Sequence, residues 1–148
     1  MLGAHNCSEI FSLNMSSKIS TIMANCIFCK ITKKELPSDI VYEDNDIVVF
    51  KDIHPKAPIH HLVVPKAHIQ SIAHLEASPG DPGRPSANHS DIIAKLIYTA
   101  KKVAQDEKLA GYKLVFNVGR EGGQVVDHLH LHLLGGWASE ENPDKFRV

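Results

Sequence analysis

Histidine and leucine alternate from residue 128 to residue 133, and this is the sharpest polar–apolar pattern in the chain. Successive side chains of a β-strand point to opposite faces. The pattern therefore predicts a strand with a leucine face buried in a core and a histidine face that carries three imidazoles. The leucines are Leu129, Leu131 and Leu133, and the histidines are His128, His130 and His132.

Four further segments complete a predicted antiparallel sheet. The β-rich runs 40–43 and 47–50 flank an Asp-Asn-Asp turn and predict a hairpin. Residues 60–64, between two prolines, predict a third strand, and residues 112–117 predict a fourth. A glycine-rich turn at 119–124 then leads into the histidine strand.

Apolar residues recur at helical spacing in two places. Residues 26–36 predict a short helix that Pro37 stops. Residues 90–109 predict a long helix with Asn88 or Ser90 as its cap, and its apolar stripe is broad.

The order of elements is helix, three strands, helix, two strands, which predicts an α+β domain of about five antiparallel strands with the helices on one face. The Pro- and Gly-rich segment 78–87 predicts an exposed loop. Residues 1–24 show no sustained period and lack the features of a secretory signal, so we expect a flexible extension before a domain at 25–148.

Composition excludes several classes of protein. With 148 residues the chain holds one ordinary domain, and its 43% hydrophobic and 22% charged residues are typical of a globular protein. A formal net charge of −1 argues against binding nucleic acid by bulk charge. No apolar run approaches the ~20 residues of a membrane span. The three cysteines fit a reducing compartment, so we expect the cytoplasm, with the nucleus as an alternative.

A row of three imidazoles is suited to nucleophilic attack, proton transfer or metal binding, because the unperturbed pKa of histidine, ~6.5, lies close to neutrality. The plainer alternative is a half-buried strand whose outer face happens to carry histidine.

The histidine row and the two apolar residues after it resemble the signature of the histidine triad (HIT) family, and the flanking segments match as well. Those segments are 27–31, 42–44, 50–53, 57–60, 64–68 and 117–136. The resemblance implies a HIT-like fold. Within the family the chain is most similar to the Hint branch, which hydrolyses purine nucleoside phosphoramidates through a nucleotidyl-histidine intermediate.

The resemblance also implies catalytic roles. His130 corresponds to the nucleophile, and His132 to a residue that contacts phosphate or the leaving group. His128 has a supporting hydrogen-bonding role, and His60 matches a further histidine of the family's site. His61 has no counterpart there, and we interpret it as structural or exposed.

Nucleotide recognition is implied for other segments. Asp52 matches the residue that accepts hydrogen bonds from the ribose hydroxyls. Asn117 and Gly123 match phosphate contacts, with Gln124 and Val125 next to them in the turn. The residues that would sandwich a purine are Ile27, Phe28, Ile31, Phe50 and Ile53, whose alternative interpretation is ordinary core.

Val125 departs from the family pattern, because relatives carry Ser or Thr at this position. Valine cannot donate a hydrogen bond to a phosphate oxygen or leaving group. One neutral hydrogen bond is worth ~0.5–1.5 kcal/mol, a few-fold to about tenfold in rate. The departure therefore bears on turnover and leaving-group preference, not on the reaction class.

Cys26 and Cys29 have the spacing of half a structural zinc site. By resemblance to triad proteins with this cysteine pair, His68 and His128 would complete a closed site. The alternative is two free cysteines on a short helix. The hydrolytic chemistry itself requires no cofactor.

Other functions stay open on the sequence. The same family contains dinucleoside polyphosphate hydrolases, and a nucleotide-binding scaffold with little activity or a metal-dependent hydrolase is also compatible with these residues. Expected partners are a purine nucleoside monophosphate or phosphoramidate, neither nucleic acid nor a membrane, and a second copy of the chain. In that homodimer, Trp137 and the residues beyond it would reach toward the other subunit's site.

Overall fold

The computed structural model describes residues 25–78, 81–85 and 87–138, and it contains a five-stranded antiparallel sheet in the order β1-β2-β3-β7-β6. The sheet strands are β1 (Ile40–Glu43), β2 (Ile47–Lys51), β3 (Ile59–Pro65), β6 (Tyr112–Val115) and β7 (Leu131–Gly135). Two helices accompany them, α1 (Ile27–Thr32) and α2 (Ala87–Asp106), with a short 3₁₀ turn at Ile72–His74. The predicted α+β class and five-stranded sheet are confirmed. The expected extension, residues 1–24, lies outside the described residues.

The β1–β2 hairpin forms where the sequence predicts it. Asp44 accepts hydrogen bonds at Oδ1 from the backbone N–H groups of Asp46 and Ile47, each at 2.8 Å. Such a side-chain-to-backbone turn reverses the chain without strain. The pairing then runs from β2 to β3, and β3 pairs with β7.

The helices lie on opposite faces of the sheet, and the prediction of helices on one face is wrong. Alternate residues of β2 enter two different cores, with Ile47 and Val49 beside α2 and Val48 and Phe50 beside α1. Because β2 and β3 are buried on both faces, their apolar residues form continuous runs instead of alternating with polar ones.

Several boundaries also differ from those expected. Helix α1 ends at Thr32 instead of extending to Leu36, because the chain leaves the helix with Lys34 in the left-handed region at φ 63°. Helix α2 begins at Ala87, so Asn88 and Ser90 lie within it and do not cap it.

The segment expected to be a loop at 78–87 contains a second, two-stranded sheet. Its strands are β4 (Ala77–Ser78) and β5 (Asp81–Pro85), which pair antiparallel. In the part of the chain that the structure describes, no helix is both long and apolar enough to cross a membrane.

Candidate active site

Strand β7 begins at Leu131, so His128 and His130 come before the regular ladder that the sequence predicts to include them. The last β3–β7 pair is Val63 with Leu131. Beyond it, the carbonyl of Pro65 accepts a hydrogen bond of 2.8 Å from Nε2 of the His128 side chain. The His128 side chain thus replaces a backbone hydrogen bond of the ladder, and for this reason β7 begins at Leu131 and not at His128.

The leucines and histidines of this segment nevertheless lie on opposite faces of the sheet, as predicted. Leu129, Leu131 and Leu133 all lie in the core beneath α2. His132 stands directly across from Leu62, which belongs to the core beside α1, so His132 lies on the α1 face. His60, two residues before Leu62, shares that face.

His130 is buried, with 6% of its surface exposed, and its ring is fixed by one short hydrogen bond. Its Nδ1 lies 2.6 Å from the carbonyl oxygen of His128, to which only a protonated Nδ1 can donate. In the neutral ring, Nε2 then carries the free lone pair. Burial lowers the pKa of His130 below its ordinary value, which favours this neutral form.

A second hydrogen-bonded chain runs through His60 and His132. Nδ1 of His60 accepts from the backbone N–H of Lys56 at 3.0 Å, so its Nε2 carries the proton. That proton points at Nδ1 of His132, 2.9 Å away, and Nε2 of His132 is therefore protonated in turn. Nδ2 of the Asn117 side chain lies 3.2 Å from this Nε2 and donates to the carbonyl of Gly123 at 3.5 Å, so Asn117 offers no acceptor to the Nε2 proton of His132.

Burial keeps both rings of this chain uncharged. It lowers the pKa of His132 to about 4, with neighbouring His130 and His60 adding to the effect. The pKa of His60 is lowered by burial as well, although the nearby Asp52 carboxylate opposes the shift. Oδ2 of Asp52 lies 3.4 Å from Nε2 of His60, and its Oδ1 accepts from the backbone N–H of His54 at 2.8 Å.

The residues predicted to sandwich a purine divide into two groups. Phe28, Ile31 and Phe50 are buried in the core beside α1, and the Phe28 ring meets that of His130 edge-on at 5.2 Å. Ile27 and Ile53 are exposed, Ile53 to 83%. The structure brings the first three together in the core near His130 and leaves the other two at the surface.

Gln124 clamps the glycine-rich turn. Its Oε1 accepts from the N–H of Gly119 at 3.1 Å, and its Nε2 donates to the carbonyls of Gln70 at 2.7 Å and Val126 at 2.9 Å. The residue is 3% exposed, and both amide hydrogens are engaged. Its side chain therefore has no donor to spare for a ligand, whereas the neighbouring Val125 is 79% exposed.

Arg120 also stabilises this turn through hydrogen bonds, a role that the sequence pattern did not predict. Nη1 donates to the carbonyl of Gln124 at 2.9 Å and to the carbonyl of Val125, while Nη2 pairs with Asp127 Oδ2 at 2.9 Å. Opposite charges on either side of a turn were the signal available in the sequence.

The predicted metal ligands converge. One ligand atom each from Cys26, Cys29, His68 and His128 lies within 4.8 Å of the others. Nδ1 of His128 is 3.4 Å from Sγ of Cys26 and 3.5 Å from Sγ of Cys29, and Nδ1 of His68 is 3.2 Å from both Sγ of Cys29 and Nδ1 of His128. A tetrahedral zinc with ~2.3 Å bonds to sulfur and ~2.0 Å bonds to nitrogen has edges of roughly 3.3–3.8 Å, so the donor set fits.

The protonation pattern fits a metal as well. His128 donates from Nε2 to Pro65, which leaves Nδ1 bare toward the cysteines, the arrangement that orients a ligating imidazole. Burial lowers the pKa of His128 to about 4, and burial together with Cys26 raises the pKa of Cys29 to about 11. A cation between them would stabilise the thiolate that burial disfavours.

A cleft of about 450 Å³ lies against the turn and the metal-ligand group. Its lining residues are Asn25, Cys26, Ile27, His68, Arg120, Val125, Val126 and Asp127. None of the predicted catalytic histidines lines it. His61 belongs to the opposite face of the sheet, buried, with Nε2 3.2 Å from Glu107 Oε1. That placement agrees with a structural residue.

Comparisons with known proteins identify relatives of this chain. The family model described as scavenger mRNA decapping enzyme C-term binding matches residues 25–142. A purine nucleoside phosphoramidase of Escherichia coli (strain K12) is 42% identical over 112 residues, 74% of this chain and 86% of that protein. A 14 kDa zinc-binding protein of Brassica juncea is 42% identical over 111 residues, 74% of this chain and 91% of its own.

Among solved structures, the HIT family hydrolase from Legionella pneumophila Philadelphia 1 has a TM-score of 0.69 and 45% identity, covering 80% of this chain and 99% of its own. The order of the strands, the row of histidines and these relatives agree with one another, and the chain belongs to the histidine triad family of hydrolases.

Proposed function

We propose that the protein hydrolyses purine nucleoside 5′-phosphoramidates through a nucleotidyl intermediate on His130. The observation that carries this proposal is the 2.6 Å hydrogen bond from Nδ1 of His130 to the carbonyl of His128. It holds the imidazole in the tautomer whose Nε2 lone pair is free, and burial keeps the ring neutral. A fixed, neutral imidazole nitrogen is a competent nucleophile toward phosphorus at pH 7.

The reaction has two displacements. Nε2 of His130 attacks phosphorus, the P–N bond of the substrate breaks, and the leaving amine takes up a proton. Water then attacks the phosphorus of the nucleotidyl-histidine, which releases the nucleoside monophosphate and restores His130. The protonated Nε2 of His132, aligned by His60 and Lys56, is a donor suited to the phosphate or to the leaving nitrogen.

Nucleotide binding is assigned to the α1 side of the sheet. The buried rings and methyls of Phe28, Ile31 and Phe50 provide an apolar floor near His130. Exposed Ile27 and Ile53 would cover a purine from outside, and burying an isoleucine contributes roughly 1.5–3 kcal/mol. The Asp52 carboxylate would accept the ribose hydroxyls.

Phosphate binding is assigned to the glycine-rich turn. Gly123 has φ 83° and no Cβ, so a phosphate can approach the backbone of the turn closely there, although the N–H of Gly123 itself donates to the carbonyl of Arg120. Asn117, whose Nδ2 lies close to His132 and donates to the carbonyl of Gly123 at 3.5 Å, lies on the same side. Gln124 acts by holding the turn in shape, and Val125 contributes only its backbone.

Zinc is the metal that we propose for Cys26, Cys29, His68 and His128. All four positions are taken by protein donors, which is typical of a structural site, so the ion would stabilise the fold and leave the hydrolysis to the histidines. A reducing compartment such as the cytoplasm would keep both thiols available.

A second candidate is a metal-dependent hydrolase, since ligand atoms of Asp52, His60 and His132 also lie within 4.8 Å of one another. The deciding experiment assays purified protein on adenosine 5′-phosphoramidate and on a diadenosine polyphosphate, with and without a chelator. We expect chelator-resistant release of AMP from the phosphoramidate. Activity that chelation abolishes and added metal restores would favour the second candidate. Preference for the dinucleotide would favour a dinucleoside polyphosphate hydrolase, and AMP binding without turnover a scaffold.

A further inference from the structure

We propose that Arg120 is a positioning residue that aims the backbone N–H groups of Val125 and Val126 at the phosphate, a function that compensates for the missing hydroxyl at position 125. This inference rests on the proposed function, because it concerns the phosphate of that reaction.

The argument starts from the two carbonyls that Arg120 holds. One guanidinium nitrogen donates to the carbonyl oxygens of both Gln124 and Val125. The C=O and N–H of a trans peptide point in opposite directions within one plane. Fixing these two oxygens on one side therefore turns the N–H of Val125 and the N–H of Val126 to the other side.

These two N–H groups have no acceptor among the described residues, so a ligand can bind to them there. Across residues 25–78, 81–85 and 87–138, no acceptor is paired with the N–H of Val125 or Val126, whereas Gly123 and Gln124 donate to the carbonyls of Arg120 and Gly119. Two successive N–H groups that face the same way form a small concavity that favours anions. The positive guanidinium on the far side of both peptides polarises them and strengthens these donors further.

The guanidinium is itself held in place. Its second nitrogen pairs with Asp127 Oδ2 at 2.9 Å, on the residue that comes directly before His128. The pair thus links the turn to the start of the histidine row. A lysine could not reproduce this arrangement, because an ammonium group lacks the planar fork that reaches two carbonyls and a carboxylate together.

The valine at position 125 makes the orientation of these backbone N–H groups important in this chain. Its side chain is exposed and apolar, so it offers no donor, and the backbone is the only source of hydrogen bonds at this position. A hydroxyl placed there would take over part of the task of the N–H groups.

The kinetic test compares Arg120→Met and Arg120→Lys with wild type on adenosine 5′-phosphoramidate, each also in a Val125→Ser background. We expect Arg120→Met to lower kcat about tenfold with little change in KM, and Arg120→Lys to recover only part of it. In the Val125→Ser background the loss should be at most about threefold. Lys102→Met is the matched control, since it removes the cation of an exposed ion pair with Asp106 on α2 and should leave kcat unchanged.

A second measurement does not depend on turnover. In amide NMR spectra, AMP should shift the N–H protons of Val125 and Val126 downfield in wild type, and much less in Arg120→Met. An inactive wild type that still shows these shifts would refute the proposed function and leave this inference standing. Three results would each overturn the inference. The first is an active wild type with an unchanged kcat in Arg120→Met, and the second is an equal loss of kcat in the wild-type and Val125→Ser backgrounds. The third is AMP-induced shifts in Arg120→Met that equal those of wild type.

Discussion

The carbonyl oxygen of His128 lies 2.6 Å from Nδ1 of His130, while Nδ1 of the same His128 faces the two cysteines and His68. His128 thus contacts both candidate sites: its backbone carbonyl meets the proposed nucleophile His130, and its ring belongs to the metal-ligand group. The proposed hydrolysis and the proposed metal binding share His128, but separate experiments test them.

The first prediction concerns the nucleophile. His130→Ala should abolish hydrolysis while AMP binding survives, because the apolar floor and the turn are formed by other residues. Loss of a covalent step normally costs several orders of magnitude in rate. Steady-state assays and calorimetric titration with AMP measure the two effects, and His74→Ala, at an exposed histidine of the 3₁₀ turn, is the control. Retention of more than about a tenth of wild-type turnover would rule out covalent catalysis at His130.

The second prediction concerns position 125. Val125→Ser should raise turnover on phosphoramidates, within the tenfold that one neutral hydrogen bond of ~0.5–1.5 kcal/mol can provide. The side chain is exposed, so the fold should tolerate the change and the melting temperature should stay the same. An unchanged or lower kcat would mean that the backbone already fills this role completely.

The sequence predicts the faces of the histidine row because the alternation along a strand is a local property. The alternation of His128 to Leu133 assigns each side chain to a face without knowledge of the rest of the fold. The continuous apolar run of β2 also carried information, since it indicates a strand buried on both faces and therefore helices on both sides.

The hydrogen bonds by which Gln124 and Arg120 hold the glycine-rich turn could not be predicted in this way. Gln124 reaches Gln70, which is 54 residues distant in the chain, and Arg120 acts on two carbonyls, which carry no residue identity. A hydrogen bond to a backbone carbonyl does not depend on the side chain of the accepting residue, so the sequence pattern does not indicate it. The late start of β7 has the same origin, since it depends on a histidine side chain that meets the carbonyl of Pro65.

The third prediction concerns zinc. We expect about one zinc per chain in protein prepared in metal-free buffers and measured by elemental analysis. Cys26→Ser should lose the metal, because three donors with an open position hold a structural zinc weakly. Cys7→Ser, at the third cysteine of the chain, should retain it. Folded wild type with no zinc and with freely titratable thiols at Cys26 and Cys29 would contradict this assignment.

The fourth prediction concerns pH and stability. Burial lowers the pKa of His132 to about 4 in the folded protein, against ~6.5 in the unfolded chain. Below pH ~6.5 the unfolded state therefore binds more protons than the folded state, and the free energy of unfolding falls as the pH falls from there toward 4.

Thermal melting between pH 7.5 and 5 measures this effect. The melting temperature of wild type should decrease over the range, and that of His132→Asn should decrease less, because asparagine does not titrate. A parallel decrease in both proteins would show that His132 contributes nothing to the pH dependence.

The last prediction is a homodimer. Strand β6 is an edge of the sheet, and an unpaired edge favours association with another chain. Beside it, α2 exposes large apolar side chains, with Ile97 at 43% and Tyr98 at 70% exposure, and Tyr112 of β6 is 38% exposed. Apolar groups on an edge strand and on a neighbouring helix are typical of a surface that a partner covers.

Sedimentation equilibrium at micromolar concentration should give twice 16.3 kDa. Tyr98→Lys should shift the equilibrium toward monomer, because a charge in an apolar interface is costly to desolvate. Lys102→Met lies on the same helix within an exposed ion pair and should leave the mass of the dimer unchanged. If Trp137 and the chain beyond it complete the partner's site, the Tyr98→Lys monomer should also lose turnover. A wild type that sediments as a monomer with full activity would refute both the dimer and the shared site.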